Sequence, residues 1–223
     1  MLPPDQRRPS SLAKRERLLA AAEELFLAVG FDRVTMDAIA EAARVSKQTA
    51  YAHFGSKEGL FVELVTAITT DTGDRATAPE VSIPTDARAA TILSDYLYRQ
   101  LTAVMHPRVL RVRRLVIGEV PRFPSLARAL WEHGPRLGIE RIATILRELG
   151  DRGELAIDDV MAAASQLNWL VMGAPVNDAM LLGDEAIPDA EAMRVQVDAA
   201  VGTFLAAYAV TGPRGQRSPA ALG

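Results

Sequence analysis

The chain has 223 residues, of which 49% are hydrophobic and 24% charged, with a net charge of −3 and no cysteine. That composition belongs to a globular protein with a sizeable core, and the missing cysteines exclude disulfides, thiolate metal sites and cysteine nucleophiles. No apolar run reaches the ~18 residues a bilayer span requires, so no membrane partner is expected. Three histidines (His53, His106, His133) leave a metal site dependent on carboxylates, and neither metal nor cofactor is expected.

The charge is unevenly placed. Residues 1–60 hold nine Lys and Arg against eight Asp and Glu, while residues 61–223 hold sixteen against twenty. All three lysines (Lys14, Lys47, Lys57) lie in the first part, and Arg7, Arg8, Lys14, Arg15 and Arg17 fall within eleven residues. Such an arm suits local phosphate contact, or simple solvation. The stretch Met1–Arg17 has no apolar segment of the secretion-signal kind, so the expected location is cytoplasmic.

In chain order, the sequence reads as helix nearly throughout. Ser10 or Ser11 caps a first helix whose Leu18, Ala22, Leu25, Phe26 and Val29 follow the three-four spacing of one buried face, and Gly30 stops it. Thr35 caps a short second helix with Asp37 in its first turn, where the helix dipole favours an acid. Arg44–Ser46 forms a tight break, a third helix opens at Ser46 or Lys47 and runs to about Phe54, and Gly55 and Ser56 separate it from a fourth. Residues 71–86, rich in Thr, Pro, Gly and Ser, mark a boundary. Beyond it, longer helices are expected at about 86–105, 108–119, 124–149, 156–182 and 189–210. The expected organisation is a flexible arm (1–10), a helix-turn-helix domain (11–58), a larger helical domain (59–211) and a disordered tail (212–223).

The informative segment is Gly30–Leu64. Ile39, Ala42, Val45, Ala50 and Phe54 are placed to hold two short helices together, which leaves Lys47, Gln48, Thr49, Tyr51 and His53 outward. No acid occurs between Glu41 and Glu58. A surface of cationic, amide, hydroxyl and aromatic groups without a carboxylate matches base edges and phosphate oxygens, and a facing carboxylate would repel phosphates.

These residues carry a resemblance. Thr35-x-x-x-Ile39-Ala40, then Ala43-x-Val45-Ser46, then Tyr51-x-His53-Phe54-x-Ser56-Lys57-Glu58-x-Leu60, resembles the helix-turn-helix signature of the TetR/AcrR family of bacterial regulators, over residues 12–65. The resemblance implies an all-α fold of about nine helices, with an N-terminal three-helix DNA-binding domain and a C-terminal ligand-binding and dimerisation domain. It implies that Ser46, Lys47, Gln48 and Thr49 meet bases, that Thr35, Tyr51 and His53 contact phosphates, and that Lys57 clamps the backbone. Ala50 stands where the family usually has a larger aliphatic residue. The implied partners are operator DNA, a second copy of the chain and a small-molecule effector, in a repressor released from a palindromic operator.

Two half-sites need a two-fold dimer, and its expected surface is the last two helices, through Ala162, Ala163, Leu167, Leu170, Val171, Ala174, Met193, Val197, Ala200, Val201, Phe204, Leu205 and Tyr208. Residues 108–128 bear a weaker resemblance to AcrR/AefR-type regulatory domains, which implies a pocket among the middle helices. The expected lining is Leu115, Glu119, Phe123, Trp131, Asn168, Trp169, Met172 and Asn177, with Arg113 or Arg114 near Glu119 if that carboxylate turns inward. An enzyme is not expected, since no phosphate-binding glycine loop, Gly-x-Ser-x-Gly or His-Glu-x-x-His occurs. The alternatives are a corepressor-dependent regulator and a protein-interaction module without a small-molecule effector.

Overall fold

The computed structural model describes residues 10–76 and 87–210, side chains at 69–76 excepted; the expected arm, apart from Ser10, and the expected tail lie outside the described residues. Among the described residues ten α-helices follow one another: α1 Ser11–Val29, α2 Met36–Ala42, α3 Lys47–Phe54, α4 Lys57–Ala76, α5 Ala89–Val104, α6 Pro107–Glu119, α7 Pro124–His133, α8 Pro135–Asp151, α9 Val160–Leu182 and α10 Ala190–Tyr208. No strand forms among the described residues. An isolated antiparallel bridge, Leu155 with Ala209, pins the end of α10 to the turn after α8.

Local chemistry fixes the N-terminal helices. The side-chain oxygens of Ser10, Thr35 and Ser46 accept from the backbone N–H three residues on, at 3.2 Å in each case, and Ser56 does the same for Gly59 at 3.0 Å. Gly30 and Gly55 end α1 and α3 at φ 86° and 71°, a region open mainly to glycine. A Cβ on Gly59 would stand 2.3 Å from the Phe54 carbonyl oxygen, so the first turn of α4 lies against the end of α3 only because residue 59 has no side chain.

Two apolar cores result. The first unites Leu18, Ala22 and Phe26 of α1 with Ile39, Ala50, Phe54 and Leu60–Ile68, and it also takes in Val112, Val116 and Leu126 from α6 and α7. Phe26, Phe31 and Phe61 form a tilted and edge-on triad with centroids 5.2–5.5 Å apart. The second core gathers α5, α8, α9 and α10 around Leu93, Leu97, Leu101, Ile142, Leu146, Leu167 and Val201.

Three expectations change. The stretch 124–149 is two helices, because Pro135 opens α8 without an N–H to donate and forces Gly134 out of helical geometry. Ala42 is exposed, and its neighbour Ala43 is the buried residue of that turn. Of the expected dimer face, Ala163, Leu167, Val171, Met193, Val197, Ala200, Val201 and Phe204 are buried within the protomer, since α9 packs on α8 and α10 on α5 and α9. The large apolar residues left outside on these helices are Met161, Trp169, Leu170, Leu181, Leu182 and Val195, and Ala162 and Ala174 of the expected face are exposed with them.

Candidate nucleic-acid interface and effector region

The third helix stands on the first core through Ala50 and Phe54, both buried. This footing turns Lys47, Gln48 and Tyr51 fully outward, Tyr51 being 50% exposed, and leaves Thr49 and His53 half-buried. Ser46 and Thr49 join hydroxyl to hydroxyl at 2.8 Å, which fixes both at the head of the helix. The His53 ring lies tilted against Phe54 at 5.9 Å. Thr35 is exposed at the head of α2, and its hydroxyl oxygen is engaged by the Ala38 N–H.

Lys47 donates to Asp37 across the turn, and this hydrogen bond, followed by the charge of Asp37, raises the lysine pKa above its ordinary value. The sequence marks Asp37 as an N-terminal acid of α2; it does not show that the carboxylate also orients the first cation of α3.

Lys57 is placed differently from the backbone clamp expected of it. Its ammonium donates to the carbonyl oxygens of Phe31 (2.8 Å), Asp32 (3.1 Å) and Val34 (2.9 Å), and sits 4.4 Å from the centre of the Phe31 ring. An ammonium has three donors, and all three are engaged within the fold. Lys57 therefore closes the α1–α2 loop from below.

Three contacts tie this unit to the helices behind it. Glu23 of α1 receives a forked pair from Arg108 of α6 at 2.5 and 2.6 Å. Arg122 reaches Asp32 at 3.0 Å, and Phe123 meets Phe31 edge-on at 4.8 Å. Behind α6, Arg114 (2.6 Å) and Arg111 (2.9 Å) converge on Asp184, and their hydrogen bonds hold its carboxyl below the usual carboxylate range.

The eight residues expected to line a pocket do not share one environment. Leu115 and Phe123 pack on the N-terminal core, whereas Met172 belongs to the C-terminal one. Trp131 and Trp169 are each 46% exposed, and Asn177 is exposed as well. Glu119 is half-buried with a carboxylate oxygen beside Gly30, and Arg114 is committed to Asp184 and not to Glu119; burial lowers the Arg113 pKa. Asn168, 4% exposed, is the buried polar side chain among the described residues.

Polar groups that sequence reasoning missed lie between α5 and α8. Tyr96 is 2% exposed, and burial pushes its phenol up to about 12 despite the opposing charges of Arg141 and Arg99. One turn on, the Gln100 side-chain oxygen is buried without a hydrogen-bond partner. A Cβ on Gly138 of α8 would stand 2.5 Å from the Gln100 amide nitrogen. The available signal was Gln100 itself, a polar residue one turn after Tyr96 among Leu93, Leu97 and Leu101.

A helix-turn-helix with an exposed polar recognition face, joined to a larger helical domain, is the architecture of a DNA-binding transcriptional regulator. Residues 18–64 match the model of bacterial regulatory proteins of the tetR family, and residues 91–210 match that of the C-terminal domain of AefR-like transcriptional repressors. The chain belongs to the TetR family. It is similar to the regulator UidR of Escherichia coli K12, 30% identical over 156 residues that cover 69% of this chain and 74% of UidR. Against three other curated regulators, the match spans only 24–39% of their length. Among solved structures, a TetR-family regulator from Mesorhizobium loti MAFF303099 is 31% identical, with a TM-score of 0.79 and coverage of 91% of this chain and 100% of that one. The flavonoid-responsive regulator FrrA is 35% identical, with a TM-score of 0.75 and coverage of 88% and 97%.

Proposed function

We propose that the protein is a dimeric cytoplasmic repressor that binds a palindromic operator through α3 and leaves it when a small molecule binds behind. The observation that carries this reading is the outward face of α3, where Lys47, Gln48 and Tyr51 stand exposed on a helix with no acid of its own and Asp37 holds Lys47. Ser46, Lys47, Gln48 and Thr49 would read bases, and Thr35, Tyr51 and His53 would hold phosphates. The fork from Arg108 to Glu23 and the Phe31–Phe123 contact support the release step, because movement of α6 or α7 is passed directly to α1 and its loop.

Self-association is supported by the apolar residues left outside on α9 and α10, above all Leu181 and Leu182, 75% and 72% exposed. Paired protomers would present two recognition helices ~34–36 Å apart, one turn of DNA. Release requires an effector to prefer the non-binding arrangement by about 1–3 kcal/mol. FrrA, named for its response to flavonoids, supports a small aromatic effector.

The test is sedentation velocity by analytical ultracentrifugation together with fluorescence anisotropy on a selected duplex. A dimer that binds one duplex and loses it on adding effector supports the proposal. A monomer, or a dimer bound more tightly with effector present, contradicts it.

A further inference from the structure

The recognition helix carries no acid of its own, yet the fold brings one to it. Asp37, in the first turn of α2, accepts from the Lys47 ammonium across the turn, with the carboxylate 49% and the lysine 68% exposed. The carboxylate thus stands beside the outward set of Lys47, Gln48 and Tyr51. An acid in that turn serves the α2 dipole without any lysine partner, and an exposed ion pair adds little to stability. Neither accounts for a carboxylate set against the first cation of the recognition helix, where it would repel phosphates.

Two further cations of the unit are engaged as well. Arg15 donates to Glu63, and the Lys57 ammonium commits its three donors to loop carbonyls. Residues 1–60 hold nine Lys and Arg against eight Asp and Glu, an excess of one, and removing one carboxylate would raise it to two. A unit this close to neutral has little of the charge that draws a protein to DNA of any sequence.

We propose that Asp37 is a specificity-determining residue, which withholds the charge of Lys47 from phosphates in general and aims its free N–H groups at one acceptor on a base edge, such as guanine O6 or N7. This inference rests on reading α3 as the operator-binding helix and deepens it. An ammonium has three donors; one lies on Asp37, and two are left for a base that stands in the right place. A phosphate that pulls Lys47 away leaves the carboxylate bare against a polyanion, so contacts that every sequence offers are penalised. A base edge that accepts from Lys47 while Asp37 keeps its hydrogen bond carries no such penalty. The same hydrogen bond, and then the charge of Asp37, raise the lysine pKa and keep the cation charged.

The test measures fluorescence anisotropy of the full-length protein on two duplexes across about 50–200 mM salt. One duplex is enriched by the wild-type chain, and the other is a scramble of the same length and composition. Asp37→Asn should bind the scramble roughly tenfold more tightly, with a plot of log affinity against log salt steeper by about 1, because one more counterion is released. The enriched duplex gains the same charge but loses the aimed lysine, so its affinity should stay nearly unchanged and selectivity should fall roughly tenfold. Asp37→Glu keeps the charge and should keep the wild-type slope and most of the selectivity. In a Lys47→Ala background, Asp37→Asn should raise both affinities alike and leave selectivity as it was. Thermal melts of Asp37→Asn and Asp37→Glu should stay within about 2 °C of wild type, as expected for an exposed pair.

Unchanged selectivity in Asp37→Asn, with or without a gain on both duplexes, overturns the proposal and leaves the repressor reading intact. So does an Asp37→Glu protein that behaves like Asp37→Asn, or an equal loss of selectivity when Lys47 is absent. Failure of the wild type to bind any duplex removes the operator reading and this proposal with it, and it is recognised before any substitution is made.

Discussion

Phe31 and Phe123 meet edge to face with ring centroids 4.8 Å apart, and through them the loop that precedes the helix-turn-helix rests on the turn between α6 and α7. Phe31 is fully buried and also packs on Phe26 and Phe61, so Phe123 is the outer member of an aromatic cluster centred in the DNA-binding core. Phe123→Ala should lower stability by about 1–3 kcal/mol, less than for a fully enclosed phenylalanine because Phe123 is half-buried. Urea denaturation measures this. The same variant should bind DNA normally yet respond less to effector, since the aromatic link is cut while α3 is untouched.

Lys57 and Lys47 should separate cleanly in a salt titration. Lys57→Met removes the ammonium that three loop carbonyls share, so it should destabilise the fold by about 2 kcal/mol. Its plot of log affinity against log salt should keep the wild-type slope. Lys47→Ala should leave stability within about 0.5 kcal/mol and reduce that slope by about 1, as one phosphate-facing charge is lost. A reduced slope for Lys57→Met would return Lys57 to the DNA.

Gly59→Ala should damage both stability and DNA binding. The added methyl would lie 2.3 Å from the Phe54 carbonyl oxygen, and a backbone atom cannot turn aside as a flexible side chain can. The end of α3 must shift against α4, at a cost of about 1–3 kcal/mol. A thermal melt and an anisotropy titration should show both losses, and normal values in both would mean that α4 tolerates the displacement.

Asp184 should contribute an acid-sensitive element between α6 and the α9–α10 turn. Its folded pKa is held below the ordinary carboxylate value of 3.8 by Arg114 and then Arg111. The unfolded carboxyl takes up a proton at higher pH than the folded one, so the contribution is complete above the ordinary value and fades as pH falls through the folded one. Comparing the wild type with Asp184→Asn, the stability difference should be present at pH 6 and shrink as pH falls below 3.8. A difference that stays constant down to pH 2 would show that the pair does not act through this titration.

The sequence made much of this molecule readable, for identifiable reasons. Capping is local, so Thr35, Ser46 and Ser56 marked the helix starts in the DNA-binding unit, and Gly30 and Gly55 marked the stops. The outward set on α3 followed from helical period, because a short helix anchored by Ala50 and Phe54 leaves little choice for the rest. Helices α9 and α10 gave no such guide. They are apolar on nearly every side, so period cannot tell a face that packs on α5 or α8 from one left outside, and residues expected at a dimer surface are core.

The break at Gly134–Pro135 was hidden by an apolar pattern that continues from Leu126 and Ala129 to Ile139 and Ile142. The pairings of Arg114 with Asp184, Lys57 with three carbonyls and Glu23 with Arg108 join residues 23 to 85 positions apart. No local rule foretells them. The buried, unpartnered Gln100 oxygen drew no reading from the sequence, because position alone does not reveal whether a buried group has a partner.

The central claim, that α3 reads operator DNA, is tested most directly by enriching random duplex DNA with the purified protein beside a Lys47→Ala/Tyr51→Ala double variant. The account predicts a two-fold-symmetric motif with half-sites about one turn (~34–36 Å) apart, enriched by the wild type and absent with the variant. The same motif enriched equally by both proteins, or no motif from either, would contradict it.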